Sequence, residues 1–416
     1  MHIHEIEKCR ICGNPRLVTV IDLGSQALSG RFPKKDDPDP PKAPLVLVKC
    51  DNSQDAGACG LVQLKHSVDP GEMYGNEYGY RSGINKTMSD HLAGIVEKAK
   101  DMVSLNPGDI VLDIGSNDST LLKSYNRSDI RRIGIDPGGE QFRKYYPADI
   151  RLVSDFFTAE NFTSAFPGGK AKIITSIAMF YDLEDPMAFV RNIREILHPE
   201  GVWVLEQSYL PTMLENNSFD TICHEHLEYY AFHQIDWMLK KNGLEAIGIA
   251  FNFINGGSFR LYVAHAGSPL RIDTAAVEGV RSKERDLRLE TMEPYLRFCT
   301  RVEEIKTSLT ALLQSEKAKG KKIYVYGAST KGNVLLHYFR IDSSLITAAA
   351  DRNPEKWGSR TPGTNIPIVS EEEARASADY FLALPWHFKS EFLERESEFR
   401  KRGGRFIFPL PDVEVI

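Results

Sequence analysis

Short apolar runs alternate with helically spaced stretches through the middle of the chain. Runs of the length and composition of buried strands occupy residues 110–114, 132–135, 173–177 and 202–206. This alternation predicts a parallel sheet covered by helices. Residues 246–251 and 259–264, joined through Asn255-Gly256-Gly257-Ser258, predict a closing antiparallel hairpin.

The carboxyl-terminal part repeats the alternation after a charged interval. Residues 275–318 carry apolar positions at helical spacing and predict two helices. A strand at 323–326, a helix at 333–339 and strands at 346–350 and 380–383 predict a second small α/β unit. We therefore expect an α/β protein divided into a small amino-terminal domain at 1–70, a Rossmann-like core at 71–268, a helical connection at 269–318 and a Rossmann-like domain at 319–416.

Composition narrows the function classes. The 416 residues are enough for two or three domains. The net charge of −6 shows no excess of basic side chains of the kind that binds nucleic acid. No apolar run approaches the ~20 residues that span a bilayer, and the first residues lack the apolar stretch of a secretory signal. We expect a cytoplasmic enzyme, monomeric or homodimeric, with no nucleic-acid or membrane partner.

Four of the six cysteines lie near the amino terminus and suggest a metal site. Cys9 and Cys12 form a C-x2-C turn, and Cys50 and Cys59 follow after a long loop. Two such thiolate pairs complete the tetrahedron of a structural zinc ion and leave no open position for a catalytic water. Free or redox-active thiols are the alternative.

The first core strand runs into a small-residue turn, D-I-G-S-N-D, whose amides can approach a ligand closely. Its carboxylates suit the amino-acid or ribose end of S-adenosylmethionine (SAM) better than a pyrophosphate, and an acid ending the next strand is placed to grip ribose hydroxyls. The cofactor residues predicted here and after the third and fourth strands are Asp113, Gly115, Ser116, Asn117, Asp118, Asp136, Asp155, Phe156 and Ile177. The G-x-G-x-x-G pattern of an NAD site is absent, since Gly115 is followed by Ser116, Asn117 and Asp118.

An unusual block, I-C-H-E-H-L-E-Y-Y, follows the fifth core strand. His224 and His226 flank Glu225. Histidine accepts protons near neutral pH, and a neighbouring acid can orient its ring, so the block indicates acid–base chemistry. Core histidines with satisfied hydrogen bonds or a second metal site are the alternatives.

A strand-to-helix turn in the last domain predicts an anion site. Helix-start amides, hydroxyls and one ammonium group converge there. With the ends of later strands, the predicted substrate-binding residues are Ser329, Thr330, Lys331, Asn333, Asp351, Asn353, Lys356 and His387. A degenerate nucleotide fold that serves only as scaffold is the alternative.

Together, the cysteine set, the D-I-G-S-N-D turn, the H-E-H block and the later Y-G-A-S-T-K-G-N turn resemble the deoxysugar C-methyltransferases, in particular the sugar 3-C-methyltransferases of tetronitrose and mycarose biosynthesis. The resemblance covers nearly the whole chain in the same domain order. It implies SAM-dependent methylation at C-3 of a nucleotide-diphosphate-linked 4-keto-6-deoxy sugar through an enolate. It also implies a zinc-binding amino-terminal domain, a class I SAM-dependent methyltransferase core with a Rossmann-like sheet, and a Rossmann-like carboxyl-terminal domain that helps to hold the substrate.

Roles of individual residues follow from the same resemblance. His226 aligns with the base and Glu225 with its supporting acid, while Tyr78 or Tyr80 of the glycine-rich loop is expected at the acceptor sugar. That loop can equally be a packed linker.

The chain also departs from the family pattern. Cys223 stands where the family commonly has tyrosine, Ser119 replaces a glycine, and Tyr181 or Asp182 stands for a histidine after the fourth strand. The sugar, the nucleotide and the acceptor carbon therefore stay open. Alternatives are a SAM-dependent O- or N-methyltransferase, an NAD-linked sugar oxidoreductase or epimerase, and a non-catalytic scaffold that binds a nucleotide sugar.

Overall fold

The structure, a computed structural model, describes residues 2–55, 57–69, 81–270 and 273–416. Its first strands are β1 (Ile3–Glu5), β2 (Leu17–Ala27), β3 (Lys42–Cys50), β4 (Val62–Leu64) and β5 (His66–Val68). β1 pairs only with β5, and β2, β3 and β4 form an antiparallel sheet. The predicted active-site residues Tyr78 and Tyr80 lie outside the described residues.

The core follows as alternating helices and strands. In chain order these are α1 (Lys86–Met102), β6 (Ile110–Ile114), α2 (Thr120–Lys123), β7 (Arg131–Ile135), β8 (Ile150–Val153), α3 (Ala159–Ala165), β9 (Ala171–Ile177), α4 (Pro186–Ile196), β10 (Leu197–Ser208), α5 (Leu210–Glu215), β11 (Glu228–Tyr229), α6 (Phe232–Lys241), β12 (Leu244–Asn252) and β13 (Ser258–His265). The predicted core strands and the hairpin are thereby confirmed.

Seven of these strands form one sheet in the order β12-β13-β10-β9-β6-β7-β8. The neighbours from β10 to β8 are parallel, and β13 closes the sheet antiparallel to β10 and β12. β6 is buried along its length, as expected for a central strand covered by helices on both faces. The carboxyl ends of β6, β7, β9 and β10 therefore meet at one edge, where open α/β sheets bind ligands.

One further strand of this region, β11, lies outside the core sheet. It pairs with β4 and extends the amino-terminal sheet to the order β11-β4-β3-β2. The block that contains His226 is thus anchored at its end to the domain that carries the cysteines. Sequence periodicity gives no sign of this pairing, because its partners lie more than 160 positions apart.

Two helices, α7 (Thr274–Asp286) and α8 (Glu293–Ala318), connect the core to the last domain and confirm the predicted helical interval. That domain comprises β14 (Ile323–Tyr326), α9 (Thr330–Phe339), β15 (Ala348–Asp351), β16 (Ile368–Ser370), α10 (Glu371–Arg375), β17 (Tyr380–Ala383), α11 (Lys389–Arg395), α12 (Ser397–Lys401), β18 (Arg405–Phe408) and β19 (Glu414–Val415). Its six-stranded sheet has the order β16-β15-β14-β17-β18-β19 and is parallel except at β18–β19. Among the described residues no helix is long and apolar enough to cross a membrane.

Candidate active site

The four amino-terminal cysteines converge as the sequence predicts. Their sulfur atoms all lie within 4.8 Å of one another, and the pairs Cys9–Cys59 and Cys12–Cys50 are 3.5 Å apart. A tetrahedral zinc ion with Zn–S bonds of about 2.3 Å requires sulfur atoms about 3.8 Å apart, which this spacing fits. The Asn14 amide also donates to Cys50 Sγ at 3.4 Å, a contact suited to a thiolate.

A cavity of about 420 Å³ opens at the carboxyl edge of the core sheet. This size lies within the ordinary range for small-molecule sites. Of the predicted residues, its walls include Asp113, Gly115, Ser116, Asn117, Asp136, Phe156, Ile177, Tyr181, His226 and Lys331. Residues predicted separately for the cofactor and for the acceptor thus share one continuous space.

At one end, the loops after β6 and β7 form a cradle for a nucleoside. Asp136 accepts hydrogen bonds from the backbone amides of Asn117 and Gly138, each at 2.8 Å, which fixes its carboxylate in the wall. Gly115 has a φ of +72°, and a Cβ there would come within 3.1 Å of the Met179 side chain. A side chain at this position would crowd the cavity wall, so the turn keeps its backbone accessible to a ligand.

Asp113 is the second acid of this end. Its Oδ1 accepts from the Thr175 hydroxyl at 2.6 Å, and burial raises its pKa to about 7 despite that hydrogen bond. A cationic amino group placed against this carboxylate would favour its charged form. The two carboxylates and the glycine turn therefore fit the amino-acid and ribose parts of SAM.

Asp118 and Asp155 are not on the cavity wall. Asp118 accepts from Thr120 Oγ1 at 2.5 Å and from the Gly83 amide at 3.1 Å, so it ties the segment before α1 to this turn. Asp155 is exposed and accepts from the amide of Phe156 at 2.7 Å. Their cofactor roles stay predictions without support from the geometry.

His226 also lines this cavity, together with Tyr181 and Lys331. Its Nδ1 is 2.9 Å from the carbonyl oxygen of Thr221, and because a carbonyl only accepts, Nδ1 carries the proton. Nε2 therefore keeps its lone pair. Burial and the nearby charge of Lys331 lower the pKa of His226 to about 3, so the ring is neutral at pH 7. Tyr181 packs edge-on against it, with ring centroids 4.4 Å apart.

The other members of the H-E-H block face away from the cavity. His224 Nε2 lies 3.1 Å from the Ala43 carbonyl in β3, and burial lowers the pKa of His224 to about 4. Glu225 points to Gly30, where a Cβ would lie 2.9 Å from its Oε1, and burial raises the pKa of Glu225. The structure shows no hydrogen bond between Glu225 and His226, although the sequence predicts that Glu225 orients the His226 ring. The Thr221 carbonyl orients the ring instead.

Lys331 reaches the cavity from the start of α9. Its Nζ donates to the Asn255 carbonyl at 3.2 Å, and Asn255 belongs to the tip of the β12–β13 hairpin. Its charge also lowers the pKa of His387, although burial is the larger cause. A cation from the last domain is thus placed at the acceptor end of the core cavity.

The remaining residues predicted to bind substrate lie off the cavity wall. The Ser329 hydroxyl accepts from the Gly332 amide at 3.1 Å and caps α9, where Thr330 is the first residue. The fully buried Asn333 side chain donates to the Ser29 carbonyl at 2.8 Å, so it joins the last domain to the amino-terminal one.

The end of β15 holds its own turn together. Asp351 accepts from the amides of Ala328 and Asn353, at 2.9 and 2.8 Å. Lys356 donates to the Ala328 carbonyl at 2.7 Å. These bonds fix the strand-to-helix turn before α9. Binding of a nucleotide by this turn, and by His387 beside Trp386, stays a prediction.

Sequence reasoning did not select Glu206 and Gln207, which also line the cavity. They end the otherwise apolar strand β10 with two buried polar side chains. Two consecutive polar residues at the carboxyl end of a buried parallel strand were the available signal.

Sequence comparisons with known proteins cover nearly the whole chain. Residues 9–74 match a zinc binding domain, residues 82–248 a methyltransferase domain, and residues 253–411 a C-methyltransferase C-terminal domain. The C-methyltransferase NovU of Streptomyces niveus is 29% identical over 418 aligned positions, which cover 100% of this chain and 98% of NovU.

Among solved structures, an O-methyltransferase family protein from Burkholderia thailandensis matches with a TM-score of 0.35 and 14% identity, over 47% of this chain and 63% of that one. The magnesium protoporphyrin IX methyltransferase of Synechocystis, solved with bound SAM, matches with a TM-score of 0.31 and 12% identity, over 43% and 79% of the two chains.

Proposed function

We propose that the chain is a SAM-dependent C-methyltransferase that methylates C-3 of a nucleotide-linked 4-keto-6-deoxy sugar through an enolate. The C-methyltransferase and methyltransferase domain matches and the full-length similarity to NovU support this proposal. SAM and a structural zinc ion are its cofactors. The observation that carries the proposal is His226, which lines the same cavity as the SAM cradle and donates its Nδ1 proton to the Thr221 carbonyl, so that Nε2 remains as the proton acceptor.

When bound, SAM supplies an electrophilic methyl group on a sulfonium centre. Asp136 and Asp113 hold its ribose and amino-acid parts, and the Gly115 turn allows the close approach. The cluster of cysteines takes no part in this chemistry, since four thiolates complete the coordination of zinc.

His226 generates the nucleophile. Carbon beside a ketone becomes nucleophilic once a proton leaves, and Nε2 of His226 takes the proton from C-3 while the electron pair moves to the ketone oxygen. The pair would then return to C-3, which would take the methyl group that bound SAM supplies, with S-adenosylhomocysteine as the leaving group. The proton on His226 passes to solvent.

Lys331 makes this proton transfer feasible despite the low pKa of His226. Burial and the charge of Lys331 disfavour an imidazolium at His226 when no substrate charge opposes them. The negative enolate oxygen offsets both, because it pairs with the Lys331 ammonium group and with the imidazolium formed beside it. Ionisation of His226 is therefore coupled to ionisation of the substrate.

Deuterium exchange tests the proposal directly. A dTDP-linked 4-keto-6-deoxyglucose incubated in D2O with the protein and S-adenosylhomocysteine, which cannot donate a methyl group, should acquire deuterium at C-3. With SAM, NMR should find the new methyl group on the same carbon. His226→Asn should abolish exchange and turnover while leaving the dissociation constant of SAM within about twofold.

Other outcomes identify other functions. Deuterium and methyl at C-5 would move the acceptor carbon, and a methyl on oxygen or nitrogen would refute the carbon chemistry. The methyltransferase-domain match makes an NAD-linked oxidoreductase the weaker alternative, and calorimetry with NAD tests it.

A further inference from the structure

Gln207 is a buried carboxamide on the wall of the cavity. Its side chain is 1% exposed, and neither its Oε1 nor its Nε2 has a hydrogen-bond partner among the described residues. A buried amide without partners costs about 1–3 kcal/mol for each unsatisfied group. The simplest reason to retain such a side chain is a ligand that forms the missing hydrogen bonds.

The neighbouring polar side chains have their partners within the protein. Glu206 binds His91 at 2.5 Å through Oε1, and Arg260 and Asn252 at 2.7 and 3.0 Å through Oε2. Asp113 is bonded to Thr175. Glu206 and Asp113 are thus satisfied within the protein, whereas both polar atoms of the Gln207 carboxamide are left without a hydrogen-bond partner among the described residues.

The topology assigns Gln207 to the acceptor end. Asp136 follows β7 and Gln207 lies near the end of β10, with β6 and β9 between these two strands. Three strand spacings of about 4.8 Å separate the two positions by about 14 Å. Gln207 pairs instead with Phe259 of the β12–β13 hairpin, whose tip carries Asn255. The Asn255 carbonyl accepts from Lys331, whose charge acts on His226, and under the proposed function this is the acceptor end.

The carboxamide defines the ligand group. Nε2 donates and Oε1 accepts, so a ketone oxygen satisfies only one of them, whereas a hydroxyl both donates and accepts. Lys331 offers only donors, and Nε2 of His226 only a lone pair. The ketone oxygen is thus suited to Lys331, the acidic proton to His226, and a neighbouring hydroxyl to Gln207.

We infer that Gln207 is the specificity-determining residue that binds a ring hydroxyl of the acceptor beside the reacting carbon. The inference rests on the proposed function. It adds that the enzyme distinguishes keto sugars that carry this hydroxyl from their deoxy counterparts. A site whose buried polar groups lose their partner rejects the analogue that lacks it.

The test compares acceptors that differ by a single hydroxyl. dTDP-linked 4-keto-6-deoxyglucose and its 2-deoxy and 3-deoxy counterparts are assayed with the wild-type protein, Gln207→Leu and Gln207→Met. The wild type should show a kcat/KM about 10- to 100-fold higher for the acceptor that keeps the recognised hydroxyl. Both variants should lose this ratio through a higher KM, with the dissociation constant of SAM unchanged.

Stability of the free protein separates this role from a structural one. Replacing an unpartnered amide by an apolar side chain of similar shape is neutral or stabilising, so Gln207→Leu should hold or raise the Tm. Gln234→Leu is the matched contrast, because that buried amide accepts from the Ala231 amide and donates to the Gly60 carbonyl, and its loss should lower the Tm. Gln314→Leu, on the exposed surface of α8, should change neither Tm nor kinetics.

Three results would overturn the inference. They are an unchanged acceptor ratio in both variants, a loss confined to SAM affinity, or a lower Tm for Gln207→Leu with normal kinetics. If the wild-type protein neither methylates any keto sugar nor catalyses deuterium exchange in one, the proposed function is refuted, and the inference about Gln207 falls with it. That result is obtained before any variant is made.

Discussion

The guanidinium of Arg10 lies 3.7 Å from the carboxylate of Glu228, measured from Nε to Oε1. Arg10 stands between Cys9 and Cys12, and Glu228 follows His226 by two positions. Arg10 also donates to the Leu64 carbonyl at 2.7 Å, in the strand that pairs with β11. The turn that carries Cys9 and Cys12 is therefore linked to the block that contains His226 by a buried Arg10–Glu228 contact as well as by a shared sheet.

Removing one partner of this pair should be costly. The side chains of Arg10 and Glu228 are 3% and 0% exposed, and burial raises the pKa of the Glu228 carboxyl. Without Arg10 this buried carboxyl loses its neighbouring cation, and a buried polar group that loses its partner costs about 1–3 kcal/mol. We expect Arg10→Met to lower the free energy of unfolding by this amount in urea titrations. Arg297→Met removes an exposed pair with Glu293 and should cost no more than about 1 kcal/mol. Equal losses in the two variants would refute the link.

Zinc should be retained in a ratio of about one ion per chain, as measured by elemental analysis. Cys12→Ser should lose the metal and lower the Tm, because the amino-terminal sheet and β11 lose their anchor. Cys299→Ser, whose thiol lies outside the cluster and donates to the Val20 carbonyl, should keep the full zinc content. Full zinc content in Cys12→Ser would contradict the assignment of the four ligands.

Asp136 should control cofactor affinity without taking part in proton transfer. Asp136→Asn keeps the size of the side chain but removes the charge that two backbone amides hold in place. Calorimetry should show SAM binding weakened by about 10- to 100-fold, the value of one or two charged hydrogen bonds. With SAM at saturation, turnover should recover, and a persistent loss of kcat would contradict a purely cofactor-binding role.

Because His224 is buried in its neutral form, the free energy of unfolding should fall as the pH is lowered below about 6.5. The pKa of His224 falls from about 6.5 when unfolded to about 4 when folded, so between these values the unfolded chain binds the extra proton. The free energy of unfolding then rises with pH by about 1.4 kcal/mol per unit from this group. Relative to His224→Gln, the wild type should lose stability as the pH falls from 6.5 to 4. A difference between the two proteins that does not vary with pH would show that His224 is not buried in its neutral form.

Replacing Lys331 should change both the pKa of His226 and the rate of deuterium exchange at the acceptor carbon. Lys331→Met should raise the pKa of His226, since a neighbouring positive charge is removed, and NMR titration of the imidazole measures this change. The same variant should slow deuterium exchange at the acceptor carbon, because the enolate loses its cation. Lys321→Met, in an exposed pair with Asp379, should leave both unchanged. Faster exchange in Lys331→Met would show that a stronger base matters more than the cation.

Local sequence determined much of this protein. Short, mostly apolar runs predicted β6, β7, β9, β10 and the β12–β13 hairpin, because strands of a sheet that is covered by helices are rich in apolar side chains. The C-x2-C turn predicted its metal site, since two thiolates three positions apart fit one ion. The Asp-Ile-Gly turn and the acid after β7 predicted the cofactor cradle because the ends of adjacent parallel strands always meet.

Only the tertiary structure decided which wall each side chain of the H-E-H block faces. Successive side chains in a non-helical segment point in different directions, and packing of β11 on β4 turned His226 to the cavity and His224 to the amino-terminal sheet. The sequence also could not show which buried amides have partners. Asn333 donates to the Ser29 carbonyl, whereas the Gln207 carboxamide has no hydrogen-bond partner among the described residues. Periodicity records whether a position is buried, but the identity of its neighbours depends on segments far away in the chain. The acceptor end of the site is assembled from such segments.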